Sequence, residues 1–199
     1  MKTKAIYIVL VTIAGLWSCR QGGNTTEKTS FTKVDSLTET YLTLQDSLLH
    51  AWNMMAWDEK EKIKSLHNLI HLMHNEEGFD EDQLATLEQR LEQLDRIRYT
   101  QKSLANAFVI EEYDFASNSL VSEIVSLVES DPNFIAKEKV QKYVDKVIMA
   151  DQRVPELRSD YDRIAIRFNE FLENNKRYLK EIDQDYSGEK KALFSSITE

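Results

Sequence analysis

The longest run of helical periodicity in this chain fixes most of what it can become. From Val140 the apolar residues Val144, Val147, Val154, Tyr161, Ile164, Phe168 and Leu172 follow at steps of three, four and seven. That spacing places all of them on one face of a single helix, a packing surface that requires other helices against it. A second run has the same character: Val34, Leu37, Tyr41, Leu44, Leu48, Trp52, Met55, Ile63, Leu66, Ile70 and Met73. It predicts a helix over 34–74, about 60 Å long at the helical rise. With five glycines and two prolines in 199 residues, few positions are left at which a chain could turn between strands. The expected fold is all-α, an elongated antiparallel bundle of three to four long helices.

Between the two runs lie shorter signals. Asn75 to Asp80 reads as a helix stop at Gly78 followed by a cap at Asp80. Leu84, Leu87, Leu91, Leu94 and Ile97 form a coiled-coil-like seam, predicting a second helix from Glu81 to Phe108. A break or kink is expected within Val109 to Asn118, then a third helix through Leu120, Ile124, Leu127 and Val128 to Glu129. Asp131-Pro132 ends it, because proline pushes its predecessor out of helical geometry. The last helix is expected from Phe134 to Asp185, kinked at Pro155, since the apolar phase carries across that residue. The bundle domain is thus 34–186, with a C-terminal tail over 187–199.

The N-terminus carries a different message. Lys2 and Lys4 precede an apolar stretch from Ala5 to Ala14, the layout of a secretion signal and too short for a membrane span. Leu16-Trp17-Ser18-Cys19 then has the form of a lipobox, in which the cysteine sulfur takes a diacylglyceryl group before cleavage ahead of it. Residues 1–18 therefore read as a lipoprotein signal peptide and Cys19 as the lipid attachment site. Two or three acyl chains there would anchor the chain stably to a membrane. As the only cysteine, a lipidated Cys19 leaves no thiol for disulfides or redox work. Residues 19–33 are polar, with paired glycines and no periodicity, and read as a flexible tether of roughly 20 Å reach. Arg20, not Asp, follows the cysteine, which points to the outer membrane and a periplasm-facing chain.

Charge narrows the partners. The formal net charge is −9, and −11 once Lys2 and Lys4 leave with the signal peptide. An acidic chain without clustered Lys and Arg is not built for nucleic acid, whose phosphates demand them. Nor would it dock on anionic lipid by charge alone.

The two long helices also resemble the LemA family of bacterial envelope proteins. Ala51-Trp52 is followed at the family's distance by Asn68-Leu69-Ile70, where members read Asn-Leu-Val. Pro132-Asn133-Phe134-Ile135-Ala136 is similar to the family's Pro-Asp-Leu-x-Ala. Arg153-Val154, Arg158, Tyr161-Asp162 and Phe168-Asn169 follow without a gap. The chain departs from that pattern at His67, where the family has proline, and in its lipid anchor, where members have a membrane helix. The resemblance implies an extracytoplasmic antiparallel bundle on a membrane tether, and no enzymatic activity.

Candidate sites are few. His67, His71 and His74 stand four and three apart on one helix side, a spacing able to hold zinc, copper or nickel. Lys60 and Lys64 share that side and disfavour a cation, so solvent-facing histidines are the preferred reading. Asp151, Arg158, Asp162 and Asn169 form a polar row beside the last helix's apolar seam, with Arg158 and Asp162 spaced to pair. Such a row more often fixes helix register than binds a ligand. Met54, Trp57 and Leu72 lie almost opposite the main stripe of the first helix, either covered by a neighbouring helix or left for a partner. The sequence holds no glycine-rich phosphate loop, no His-Glu-x-x-His and no serine in an elbow. The reading is a non-enzymatic interaction or scaffold module without cofactor, binding an envelope protein. The alternative is an envelope ligand- or metal-binding sensor.

Overall fold

The chain divides into a segment Met1–Lys33 and a second unit, Val34–Glu199. The computed structural model describes residues 31–195. Cys19, the expected signal peptide and nearly all of the expected tether lie outside the described residues.

Among the described residues the fold is all-α. Six helices follow in order: α1 Lys33–His74, α2 Glu81–Arg96, α3 Ala107–Glu129, α4 Pro132–Ile135, α5 Glu138–Asn174 and α6 Leu179–Ile182. The 42 residues of α1 and the 37 of α5 run antiparallel and share all three apolar clusters. In the first cluster Ile63, Leu66, Leu69, Ile70 and Met73 of α1 meet Leu84, Leu87, Leu91 and Leu94 of α2. Leu120, Ile124 and Val128 of α3 and Val140, Val144 and Val147 of α5 complete it. This is a four-helix bundle, each helix contributing an inward face at heptad-like spacing. Phe79 and Phe134 close one end, edge to face with centroids 5.0 Å apart.

The other half is built differently. There α1 and α5 pair without α2 and α3, and Tyr41, Phe168, Phe171, Leu172 and Leu179 make the third cluster. Between the halves, Leu48, Ala51 and Met55 of α1 pack with Tyr161 and Ala165 of α5, Leu104 of the α2–α3 connection, and Phe194. The segment over 187–195, set apart in the sequence as tail, thus reaches the core through Phe194, which is 6% exposed.

Local chemistry explains the boundaries. Asp80 caps α2, accepting from the Gln83 amide at 2.8 Å, after Gly78 turns the chain at φ +107°. Asp131 caps α4, accepting from the Asn133 and Phe134 amides with Pro132 in the first turn.

Four expectations need correction. α2 ends at Arg96, twelve residues before Phe108, and Ile97 is 45% exposed instead of closing the seam. In the connection that follows, the amides of Thr100 and Ser103 each donate to the other's hydroxyl, at 2.8 and 3.2 Å, next to the 3-10 turn Ser103–Ala105. Residues 109–118, where the break was expected, lie inside α3. The last helix begins at Glu138, after α4, and stops at Asn174, where the Asn175 amide side chain donates to the Phe171 carbonyl at 2.9 Å. As the carried apolar phase predicts, it has no boundary at Pro155 and runs through it as one helix; the ring removes the donor for the Asp151 carbonyl but not the packing on both sides.

Candidate functional site

The densest chemistry lies midway along α1 and α5, where they meet α3, residues 97–106 and the C-terminal segment. Arg158 stands at its centre. From α5 its guanidinium makes two hydrogen bonds to Asp114 of α3, at 2.6 and 2.7 Å, and one to the Tyr99 hydroxyl at 3.3 Å. Its plane also faces the Phe194 ring at 4.8 Å and the Tyr99 ring at 5.7 Å. Burial is the largest single influence and works against this charge, but the bonds and charges of Asp114 and Tyr99 together outweigh it and hold the group above its ordinary pKa.

Around it is an aromatic cluster. Trp52 meets Tyr99 and Tyr161 at 6.0 and 5.6 Å, Tyr99 meets Tyr113 at 5.2 Å, and Phe194 meets Tyr99 and Tyr161 at 5.8 and 5.6 Å. All are edge-to-face, which sets the positive ring edge against the negative ring face. Burial pushes the Tyr113 phenol well above its usual range, and the Glu59 carboxylate it donates to adds to the effect. Tyr161 is raised to about 12, by burial first and then by Asp162.

Beside this cluster α1 carries a buried ion network. Lys62, 2% exposed, reaches Ser117 of α3 and Glu59, both at 3.0 Å, and Asp151 of α5 at 3.6 Å. Arg153 donates through both of its contacts to Asp58, which is also buried. These groups surround a cavity of about 250 Å³ lined by Lys62, Tyr113, Ser117, Asp151, Pro155 and Arg158 among others. Each cation there has its counter-charge, so the network fixes the register of three helices.

The polar row seen in the sequence is therefore divided between two tasks. Asp151 and Arg158 join helices, as above. Asp162 and Asn169 hold the C-terminal segment by its backbone. The expected Arg158–Asp162 pair does not form, because Asp114 offers Arg158 a bidentate partner and Asp162 turns to the Phe194 and Ser195 amides, at 2.8 Å each. Asn169 accepts from the Lys191 amide and donates to the Lys191 carbonyl, again at 2.8 Å each.

The other candidates are placed as follows. His74 is engaged with Glu81 of α2 at 2.7 Å, His67 is half-buried and His71 exposed. Among the described residues no group of three or more His, Cys, Asp or Glu is arranged to hold a metal ion. Leu72 packs against the four-helix core and so leaves the outer patch. Met54 and Trp57 stay in it, 44% and 58% exposed. Sequence reasoning missed Phe194, Tyr99 and Lys62. The signal for the first was the apolar triplet Ala192-Leu193-Phe194 within a largely polar tail. Lys62 carried no signal, since a lysine beside a core stripe reads as a solvated charge.

Fold and site together define a class: an all-α bundle whose C-terminal segment is fastened back onto its longest helix pair. Beyond that class the chain stands apart, matching no family model, no curated protein and no solved structure.

Proposed function

We propose that this chain is a non-enzymatic interaction or scaffold module of the bacterial envelope, held by a lipid on Cys19 and similar in build to LemA proteins. One observation carries the binding role: Trp57 and Met54 remain exposed on the outer face of α1. Leu42 and Leu49, exposed as well, lie within an arc of about 140° with them, away from the core stripe. A large aromatic in such a patch is the residue type that anchors protein interfaces. The anchor reading rests on Leu16-Trp17-Ser18-Cys19 after a short apolar run.

Crosslinking in intact cells, followed by recovery of the chain, tests both parts. Trp57→Ala is expected to fold normally and to lose a protein recovered with the unaltered chain. Cys19→Ala is expected to lose lipid labelling and remain an uncleaved precursor. Full partner recovery by the tryptophan variant, or normal processing of the cysteine variant, would remove the corresponding half of the proposal.

A further inference from the structure

The segment over 190–195 lies along α5 outside any α-helix and bends at Phe194, and the way it is held is unusual for a helical protein. Asn169 pairs with both backbone groups of Lys191, as a neighbouring strand would. Asp162 takes two successive amides, those of Phe194 and Ser195. All four contacts address the main chain, so they are indifferent to sequence. The side chain read most closely is the Phe194 ring, set against Tyr99 and Tyr161 and under Arg158, while Lys191 Nζ lies over the Phe168 ring at 5.7 Å. Ala192 and Leu193 are half-buried beside it. Main-chain bonds for affinity with one pocket for specificity is the arrangement by which grooves capture extended peptides.

We infer that this groove is a binding site for an extended segment of a partner protein carrying a phenylalanine, and that the chain's own C-terminal segment is its resident, displaceable occupant. Nothing in the contacts requires the occupant to belong to the same chain. The segment is joined to α6 through residues without regular structure, including Gly188 at φ +83°, a conformation glycine adopts freely. Between them and the clamp, the exposed Lys190–Glu173 pair at 2.8 Å is a contact that water competes for. Besides these contacts such an occupant has the advantage of tethered proximity, which a free segment overcomes once the resident is weakened. The inference rests on the reading of the chain as an interaction module and names one kind of partner for it.

The probe is a fluorescein-labelled peptide of sequence Gly-Glu-Lys-Lys-Ala-Leu-Phe-Ser, added to the full chain and followed by anisotropy. Phe194→Ala in the chain, which weakens the resident, is expected to bind the peptide at least about tenfold more tightly than the unaltered chain. A peptide with alanine for its phenylalanine is expected to lose that binding, as is the chain that also carries Asn169→Ala. Should Phe194→Ala disturb folding by circular dichroism, Lys191→Pro replaces it, removing the amide given to Asn169 while leaving every core side chain in place. Equal binding by variant and unaltered chain, equal binding of the phenylalanine-free peptide, or unfolding of both variants would overturn the inference. So would a dimer of the unaltered chain dispersed by Lys191→Pro, which would assign the groove to a second copy's tail. Failure here while crosslinking still recovers a partner removes the groove alone and leaves the interaction module standing.

Discussion

Four tyrosines, Tyr41, Tyr99, Tyr113 and Tyr161, have phenols whose ionisation is resisted by burial before anything else. Carboxylates add to this at all four: Asp183 at Tyr41, Glu59 at Tyr113, Asp162 at Tyr161, and Glu59 with Asp114 at Tyr99, where Arg158 works the other way. A folded pKa above the unfolded value of 10.0 means the native state holds the proton longer. Their contribution to stability is therefore complete below pH 10 and lost as pH rises, through about 12 for Tyr161. Tyrosinate absorbance is expected to show these four ionising together with loss of the helical signal, and independent ionisation near pH 10 would contradict it. Phe168, buried against Tyr41 at 5.6 Å between centroids, sits where α1 and α5 pair without α2 and α3. With few neighbours able to collapse into the space, Phe168→Ala is expected to cost about 3–5 kcal/mol in denaturant melts.

At the scale of elements, the sharpest contrast is between α5 and the segment it carries. The helix is fixed by its apolar face along its whole length, while the segment is fixed by two polar side chains and the packing of Ala192, Leu193 and Phe194. Glu173, at the end of α5, reaches Lys176 and Lys190 and is held down to about 2 from an ordinary 4.5, chiefly by those two hydrogen bonds. A depressed carboxylate stabilises above its ordinary value, and that contribution is lost as pH falls from about 4.5 toward about 2. Carbon-detected titration is expected to place the Glu173 midpoint well below 4.5, and Lys190→Ala to raise it. An unmoved midpoint would show that Lys190 does not sit on Glu173 in solution. The effect should fade with added salt, since the pair is exposed.

For the molecule as a whole, the three apolar clusters lie along one pair of helices and are joined by shared neighbours such as Tyr99, which touches two of them. No cluster can lose its packing without releasing α1 or α5 from the next. Unfolding of the described unit is therefore expected as one transition, with circular dichroism and tryptophan fluorescence coincident. A separate early loss of Trp52 fluorescence would show the aromatic centre opening alone.

The sequence by itself determined the helices and their inward faces. Tyr41, Leu48, Met55, Ile63, Leu66, Ile70 and Met73 are buried as their spacing requires, because a 3.6-residue period leaves one face apolar whatever surrounds it. It determined the cap at Asp80 for the same reason: the side chain that starts a helix is local to it. What lay outside its reach was every choice between partners distant in the chain. Arg158 had an acid four residues away and took Asp114 instead, 44 residues distant. Trp57 and Leu72 shared an outer arc on α1, and only the placement of the neighbouring helices covered one and left the other exposed. Phe194 lay in a polar tail and became core. Periodicity records which face a residue points to, whereas partners are set by how rigid helices stack, and only the tertiary structure decides that.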